Sequence, residues 1–151
     1  MAERRRYEDL RIDEVVESQG LTITETHVVL FAGLTGDFHP VHTDETVASQ
    51  SPYGGRIAHG PAVFAIATGL FTIADPIDSI AFLGMTWRYL KPVAIGDTIH
   101  VRSTLLSTRI TSSQDKAIVH HKREVVNQRS EVVQEGETDI MMLLAAKTDE
   151  P

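Results

Sequence analysis

Residues 37–44 read DFHPVHTD, so two carboxylates, Asp37 and Asp44, and two imidazoles, His39 and His42, stand within eight positions. A carboxylate and an imidazole held close together can share a water, the ring accepting its proton while the acid orients it or later returns one. That is general acid and base chemistry, and Asp37 with His42 is the candidate pair. The same spacing also suits a loop whose Asp caps a turn and whose histidines are solvated. Imidazole and carboxylate are ordinary metal ligands as well. A Pro-kinked loop would need a distant ligand to close the shell, however, so no metal is expected.

His59, Gly60 and Pro61 then open an apolar stretch. Gly suits a helix cap and Pro the first helical turn, where the amides point outward unpaired. Such a terminus attracts developing negative charge, most strongly where apolar surroundings keep water away. Pro61 has no amide hydrogen, so Gly60, Ala62 and Val63 are the candidate donors. The alternative is that Gly60 only permits tight packing and His59 is a hydrogen-bonded core histidine. Arg56, Arg88 and Lys91 lie near the turns expected to border this helix start. They could meet the phosphates of a carrier such as coenzyme A, or be solvated surface. No serine sits in a nucleophile-elbow sequence and no phosphate-cradling Gly loop is present, which argues against nucleophilic catalysis and nucleotide hydrolysis.

These residues need elements to position them. Residues 1–9 are charged without an apolar face and read as a loose arm. Short strands are expected at Val15 and Val16 and at Leu21 and Ile23. Thr24 is a good cap for a helix with Val28, Leu30, Phe31 and Leu34 on its apolar side, ending near Gly36. Pro40 prevents that helix from continuing, which leaves Asp37 and His42 on a loop. Asp44 can cap a short helix over 45–50. The stretch 62–74 is apolar on almost every side, so that helix must be surrounded. Strands over 79–90, 97–110, 116–126 and 131–145 would surround it as an antiparallel, meandering sheet, with Gly136 a bend or bulge. One helix against such a sheet is an α+β layout. Phe38, Phe64, Phe71, Phe82, Met85 and Trp87 could line a pocket or be ordinary core.

A chain of 151 residues suits one domain, here taken as 1–151. Fourteen Lys and Arg against 21 Asp and Glu give a net charge of −7, with no positive field for nucleic acid or an anionic membrane. The absence of cysteine excludes a disulfide and a thiolate nucleophile and fits a reducing compartment. The N-terminus lacks the apolar run of an export signal, so a cytoplasmic location is expected. The apolar stretch from 61 to 74 is too short to cross a membrane.

The segment GDFHPVHTDE resembles the hydratase motif of the MaoC-like dehydratases, the family of (R)-specific enoyl-CoA hydratases. That motif runs acid, any residue, Asn, Pro, an aliphatic and His. RIAHG resembles the start of the family's long central helix, and FLGMTWRYLKPVAIGDTI its strand, Pro turn and GDT segment. With YEDL, the resemblance spans nearly the whole chain. It implies a hotdog fold, an antiparallel sheet wrapped around one long helix, paired into a homodimer. It also implies reversible hydration of a trans-2-enoyl-CoA to an (R)-3-hydroxyacyl-CoA, with no cofactor beyond the coenzyme A of the substrate. Asp37 and His42 match the family's catalytic dyad and Gly60 its backbone oxyanion donor. His39 stands where the motif most often has Asn, and Pro61 deletes one amide from the helix start. Competing readings are a dehydratase acting on acyl carrier protein or on a branched or dicarboxylic CoA ester, a hotdog thioesterase, and a non-catalytic acyl-CoA binding subunit. The intact motif argues against the last two.

Overall fold

The structure, a computed structural model, describes residues 4–145. Two short strands, β1 (Val15–Glu17) and β2 (Leu21–Thr22), precede helix α1 (Glu25–Thr35). The helical turns α2 (Pro40–Thr43) and α3 (Glu45–Ala48) follow, then the long helix α4 (Gly60–Ala74) and four long strands. These strands are β3 (Ser79–Tyr89), β4 (Thr98–Ile110), β5 (Lys116–Asn127) and β6 (Val132–Leu143).

All pairings between the strands are antiparallel, and the sheet order is β1-β4-β5-β6-β3, with β2 also on β4. The expected meander therefore holds only for β4, β5 and β6. β3 joins the far edge, so the chain must cross from one side of the sheet to the other between Tyr89 and Thr98. Pro92 and the left-handed Gly96, at φ 97°, belong to this crossing, and Asp97 fixes its end by accepting the Ala94 amide at 3.0 Å. The inner face of the sheet packs on α4, with Val63, Ala67, Leu70 and Phe71 against Ile99, Val101, Val125 and Val133. Burying this apolar surface is the main stabilising term.

Four expectations need correction. α4 is not surrounded: Ala62, Val63, Ala67, Leu70 and Phe71 are buried, while Ala65, Thr68, Gly69, Thr72 and Ile73 face outward. One sheet covers one side of a helix, and a single chain has no second sheet to cover the other. On α1, Val28 and Ala32 are the buried pair, whereas Leu30 and Leu34 are exposed. The described part of the N-terminal arm is docked, not loose. Arg5 pairs with Asp75 at 2.9 Å and also with Glu14, and the Tyr7 hydroxyl meets Thr108 at 3.1 Å. Gly136 is neither bend nor bulge: it pairs regularly with Trp87 on β3 and Arg123 on β5. A Cβ there would lie 2.0 Å from the Thr86 carbonyl oxygen and 2.5 Å from the Trp87 ring, so glycine is what lets β3 close onto β6.

Candidate active site

α1 ends where Gly36 takes a left-handed conformation, φ 78°, that few other residues tolerate, and Asp37 follows in the loop. The Asp37 carboxylate accepts the His39 amide at 3.2 Å, a local turn that holds it at the surface. His42 is not on a loop as expected. Gly36 has already ended α1, and Pro40 begins α2, because its fixed φ suits the first helical position, and His42 lies in that turn. Asp44 caps α3 by accepting the amides of Thr46 at 2.9 Å and Val47 at 3.2 Å. The segment carrying Asp37 and His42 is thus pinned at both ends.

Two backbone carbonyls fix the tautomers of the two central histidines. His42 Nδ1 lies 2.8 Å from the Ile57 carbonyl oxygen, and His59 Nε2 lies 2.9 Å from that of Asp37. A carbonyl only accepts, so each of these nitrogens carries the proton. His42 Nε2 is thereby left free of that bond, and His59 Nδ1 is buried without a partner among the described residues. The two rings stack with centroids 3.8 Å apart, and Phe31 closes over His59 at 5.0 Å. Burial lowers the His42 pKa, and the neighbouring His59 lowers it further, against the raising effects of the Ile57 carbonyl and the Asp37 charge. The ring is held in its neutral, proton-accepting form.

Asp37, His42 and His59 each bring a side-chain donor atom within 4.8 Å of the others. Two hydrogen bonds of about 2.8 Å, bent at a shared water, span such a separation. As a metal set the trio is poor. Ligand atoms round a zinc ion sit about 2.0–2.2 Å from one centre. Rings stacked only 29° from parallel do not aim their nitrogens at one point.

α4 begins at Gly60, with His59 as its cap residue and Pro61 second, one position earlier than the sequence suggests. His59 provides no side-chain cap, since its ring is turned to Asp37. The Gly60 and Ala62 amides thus start the helix without intrahelical acceptors. Gln134, only 2 % exposed, holds this terminus: its Nε2 donates to the Gly60 carbonyl at 3.0 Å, and its Oε1 accepts from Trp87 Nε1 at 3.0 Å. Tyr89 lies against Gly60 so closely that a Cβ there would be 2.9 Å from the ring. A cleft of about 400 Å³ opens on this corner, and His42, Tyr53, Gly60, Tyr89, Lys91 and Gln134 are among its lining residues.

The other expected binding residues divide. Ala62 is buried behind the helix start, and His39 is exposed with its ring 6.2 Å from that of His42, its Nδ1 accepting the Val41 amide. Arg56 is not free for phosphate. It grips Glu25 through two bonds of 2.8 and 2.7 Å and Glu45 at 3.2 Å, tying α1 to α3. Arg88 pairs with Glu135 and lies outside the cleft lining, because strand alternation turns it away from its neighbours Trp87 and Tyr89. Lys91 does line the cleft, paired with Glu131 at 2.7 Å. Sequence reasoning missed Gln134, Tyr89 and the Ile57 carbonyl. A polar residue on the inward phase of a core strand would have flagged Gln134.

A MaoC like domain model matches residues 9–128, and the chain belongs to that family of hydratases and dehydratases. Its relatives include the protein MaoC of Klebsiella aerogenes, 37% identical over 102 residues, which cover 67% of this chain and 30% of that protein. A 3-hydroxybutyryl-CoA dehydratase of Methylorubrum extorquens is 32% identical over 98 residues, 64% of this chain and 60% of the other. An (R)-specific enoyl-CoA hydratase of Rhodospirillum rubrum is 29% identical over 136 residues, 90% of each chain. The chain thus spans about a third of the first relative and under two thirds of the second, but nearly all of the third. Among solved structures, a monoamine oxidase regulatory protein from Archaeoglobus superposes with a TM-score of 0.85 at 33% identity, covering 95% of this chain and 97% of that one. A Mycobacterium tuberculosis protein with a double hotdog fold superposes at 0.84 with 19% identity, covering 98% of this chain and 46% of that one. The sheet wrapped on α4 is a hotdog fold. Among the described residues no helix is long and apolar enough to cross a membrane.

Proposed function

We propose that the protein hydrates a trans-2-enoyl-CoA reversibly to an (R)-3-hydroxyacyl-CoA, with Asp37 and His42 handling the water and the Gly60 amide facing the thioester oxygen. The observation that carries this reading is the fixed His42 tautomer. Donation to Ile57 leaves Nε2 as a lone pair on a ring that lines the cleft, within reach of the Asp37 carboxylate. Water held between them gives one proton to Nε2 as its oxygen bonds to the β carbon. The enolate charge that develops on the thioester oxygen is met by the α4 terminus, where a single donor is worth about 2.7–4 kcal/mol. The proton on Nε2 then passes to the α carbon, which completes the addition of one water and restores the neutral ring. Dehydration is the same path reversed. No cofactor enters these steps.

A second copy of the chain is part of this proposal. β3 is an edge of the sheet, and Ile80, Phe82, Leu83 and Met85 on it are exposed, as are Leu30 and Leu34 on α1 and Ile73 on α4. An exposed apolar edge strand invites pairing with its like. Sedimentation showing a monomer at micromolar concentration would remove this part. The chemistry is tested with crotonyl-CoA by following loss of the conjugated double bond in the ultraviolet. Wild type is expected to bleach the absorbance and a folded Asp37→Asn variant to do so at least a hundredfold more slowly. Equal rates would exclude Asp37, and release of free thiol would make the protein a thioesterase instead.

A further inference from the structure

A second cavity, of about 250 Å³, lies beside the cleft against the same helix. Phe64, Phe71, Phe82, Met85 and Trp87 make most of its wall, five of the six apolar residues singled out in the sequence; Phe38 is exposed elsewhere. The two cavities share a partition, because Trp87 of the second donates its indole hydrogen to Gln134 of the first. Gly136 stands between Trp87 and Arg123 in the cross-strand row, and the Trp87 ring packs over its bare Cα.

Three polar side chains line this apolar space: Thr68, whose hydroxyl donates to the Ala65 carbonyl, and Arg123 and Thr138. The guanidinium of Arg123 lies over the Phe71 ring, 4.6 Å from its centroid, and its Nε is buried with no hydrogen-bond partner among the described residues. The Thr138 hydroxyl is likewise buried and unpartnered. Asp75 is the carboxylate whose charge reaches Arg123, but Arg5 already holds it at 2.9 Å. Burial lowers the Arg123 pKa to about 10, which still leaves the group charged at neutral pH, and burial keeps the nearby His121 neutral with a pKa of about 4. Arg123 is half-buried, and its guanidinium has no hydrogen-bonded carboxylate among the described residues; the group that satisfies it is an anion presenting oxygen acceptors.

We infer that this cavity receives the far end of the acyl group, and that Arg123 and Thr138 select an acyl chain ending in a carboxylate. The inference rests on the enoyl-CoA reading for its substrate and deepens it to a dicarboxylic acyl thioester. Phe64 lies one helical turn beyond Gly60 and Phe71 about 16 Å beyond it at 1.5 Å per residue. The acyl stem would run along α4 from the thioester to the guanidinium. A free carboxylic acid has the same terminal chemistry, so the test must separate the two sources.

The test is calorimetric binding of saturated acyl-CoA esters, which cannot be hydrated. Glutaryl-, adipyl-, suberyl- and dodecanedioyl-CoA are compared with methyl-ended esters of equal length, and with the free diacids. At one or more lengths the carboxyl-ended ester is expected to bind roughly 10–100-fold tighter than its methyl-ended counterpart, the worth of a hydrogen bond to a charged group. Arg123→Met should abolish that preference without weakening the methyl-ended ester, and Arg123→Lys should restore part of it. Thr138→Val keeps the charge and should reduce the preference severalfold, which serves if Arg123→Met does not fold. Equal binding of both series at every length overturns the inference, as does a free diacid that binds as tightly as its ester. A change of oligomeric state in Arg123→Met with no ester preference in wild type would make Arg123 an interface residue. Hydration of crotonyl-CoA is measured separately. A carboxylate preference without hydration refutes the enoyl-CoA reading alone, and hydration without preference refutes this inference alone.

Discussion

Gln134→Leu is the substitution that tests how α4 is positioned. The side chain is 2 % exposed and nearly isosteric with leucine, so the change removes two hydrogen bonds of 3.0 Å while opening little space. The Gly60 carbonyl, in the first turn of a helix, keeps its intrahelical donor. Trp87 Nε1 has no other partner among the described hydrogen bonds, and leaving it unpaired costs about 1–3 kcal/mol. Leucine's gain in apolar burial offsets part of this, so a net loss of about 1–2 kcal/mol is expected. At this chain length that lowers Tm by roughly 3–8 °C. The activity should fall further than stability explains, because the Gly60 terminus loses the strap that sets its distance from the cleft. The assays are urea unfolding with a fixed m-value and crotonyl-CoA hydration at a temperature where the variant is folded. Unchanged stability together with unchanged kcat would show that Gln134 holds nothing in place.

Other predictions follow from single features. Protonation of His42 removes the acceptor at Nε2, and its pKa is lowered by burial, so the neutral base persists to lower pH than for a free imidazole. The acidic limb of kcat/KM should therefore have its midpoint below about 6.5, and a midpoint above that value counts against His42 as the base. Gly136→Ala forces a Cβ to 2.0 Å from the Thr86 carbonyl, so β3 must part from β6. A loss of about 3 kcal/mol or more is expected by denaturant titration, and a variant as stable as wild type would contradict the strand register. Arg56→Ala breaks a partly exposed double ion pair with Glu25 and Glu45 and should cost about 0.5–1 kcal/mol with KM for acyl-CoA unchanged. A large rise in KM would return Arg56 to the binding of substrate phosphates.

The sequence by itself determined the elements and the local chemistry. β-favouring and aromatic residues located β3, and period-2 alternation located β4, with the two strands after it following the same theme, all to within a few residues. Thr24 and Gly36 bounded α1, and Asp44 set the start of α3, because capping acts within one turn. The DFHPVHTD segment and the HGP start of α4 marked the site for the same reason: their meaning lies in neighbouring residues. The tertiary structure decided everything that depends on residues distant in the chain. It placed β3 beside β6, gave Arg56 to two glutamates and turned Arg88 out of the cleft. The carbonyl of Ile57 fixed the tautomer of His42 across 15 residues, and Gln134 reached the Gly60 carbonyl across 74. Local propensity carries no information about such partners, because a hydrogen bond between distant residues is selected by the packing of whole elements and not by the residues beside it. The same holds for Arg123, which in the sequence is one more charge on a strand and in the fold is a half-buried cation lining an apolar cavity.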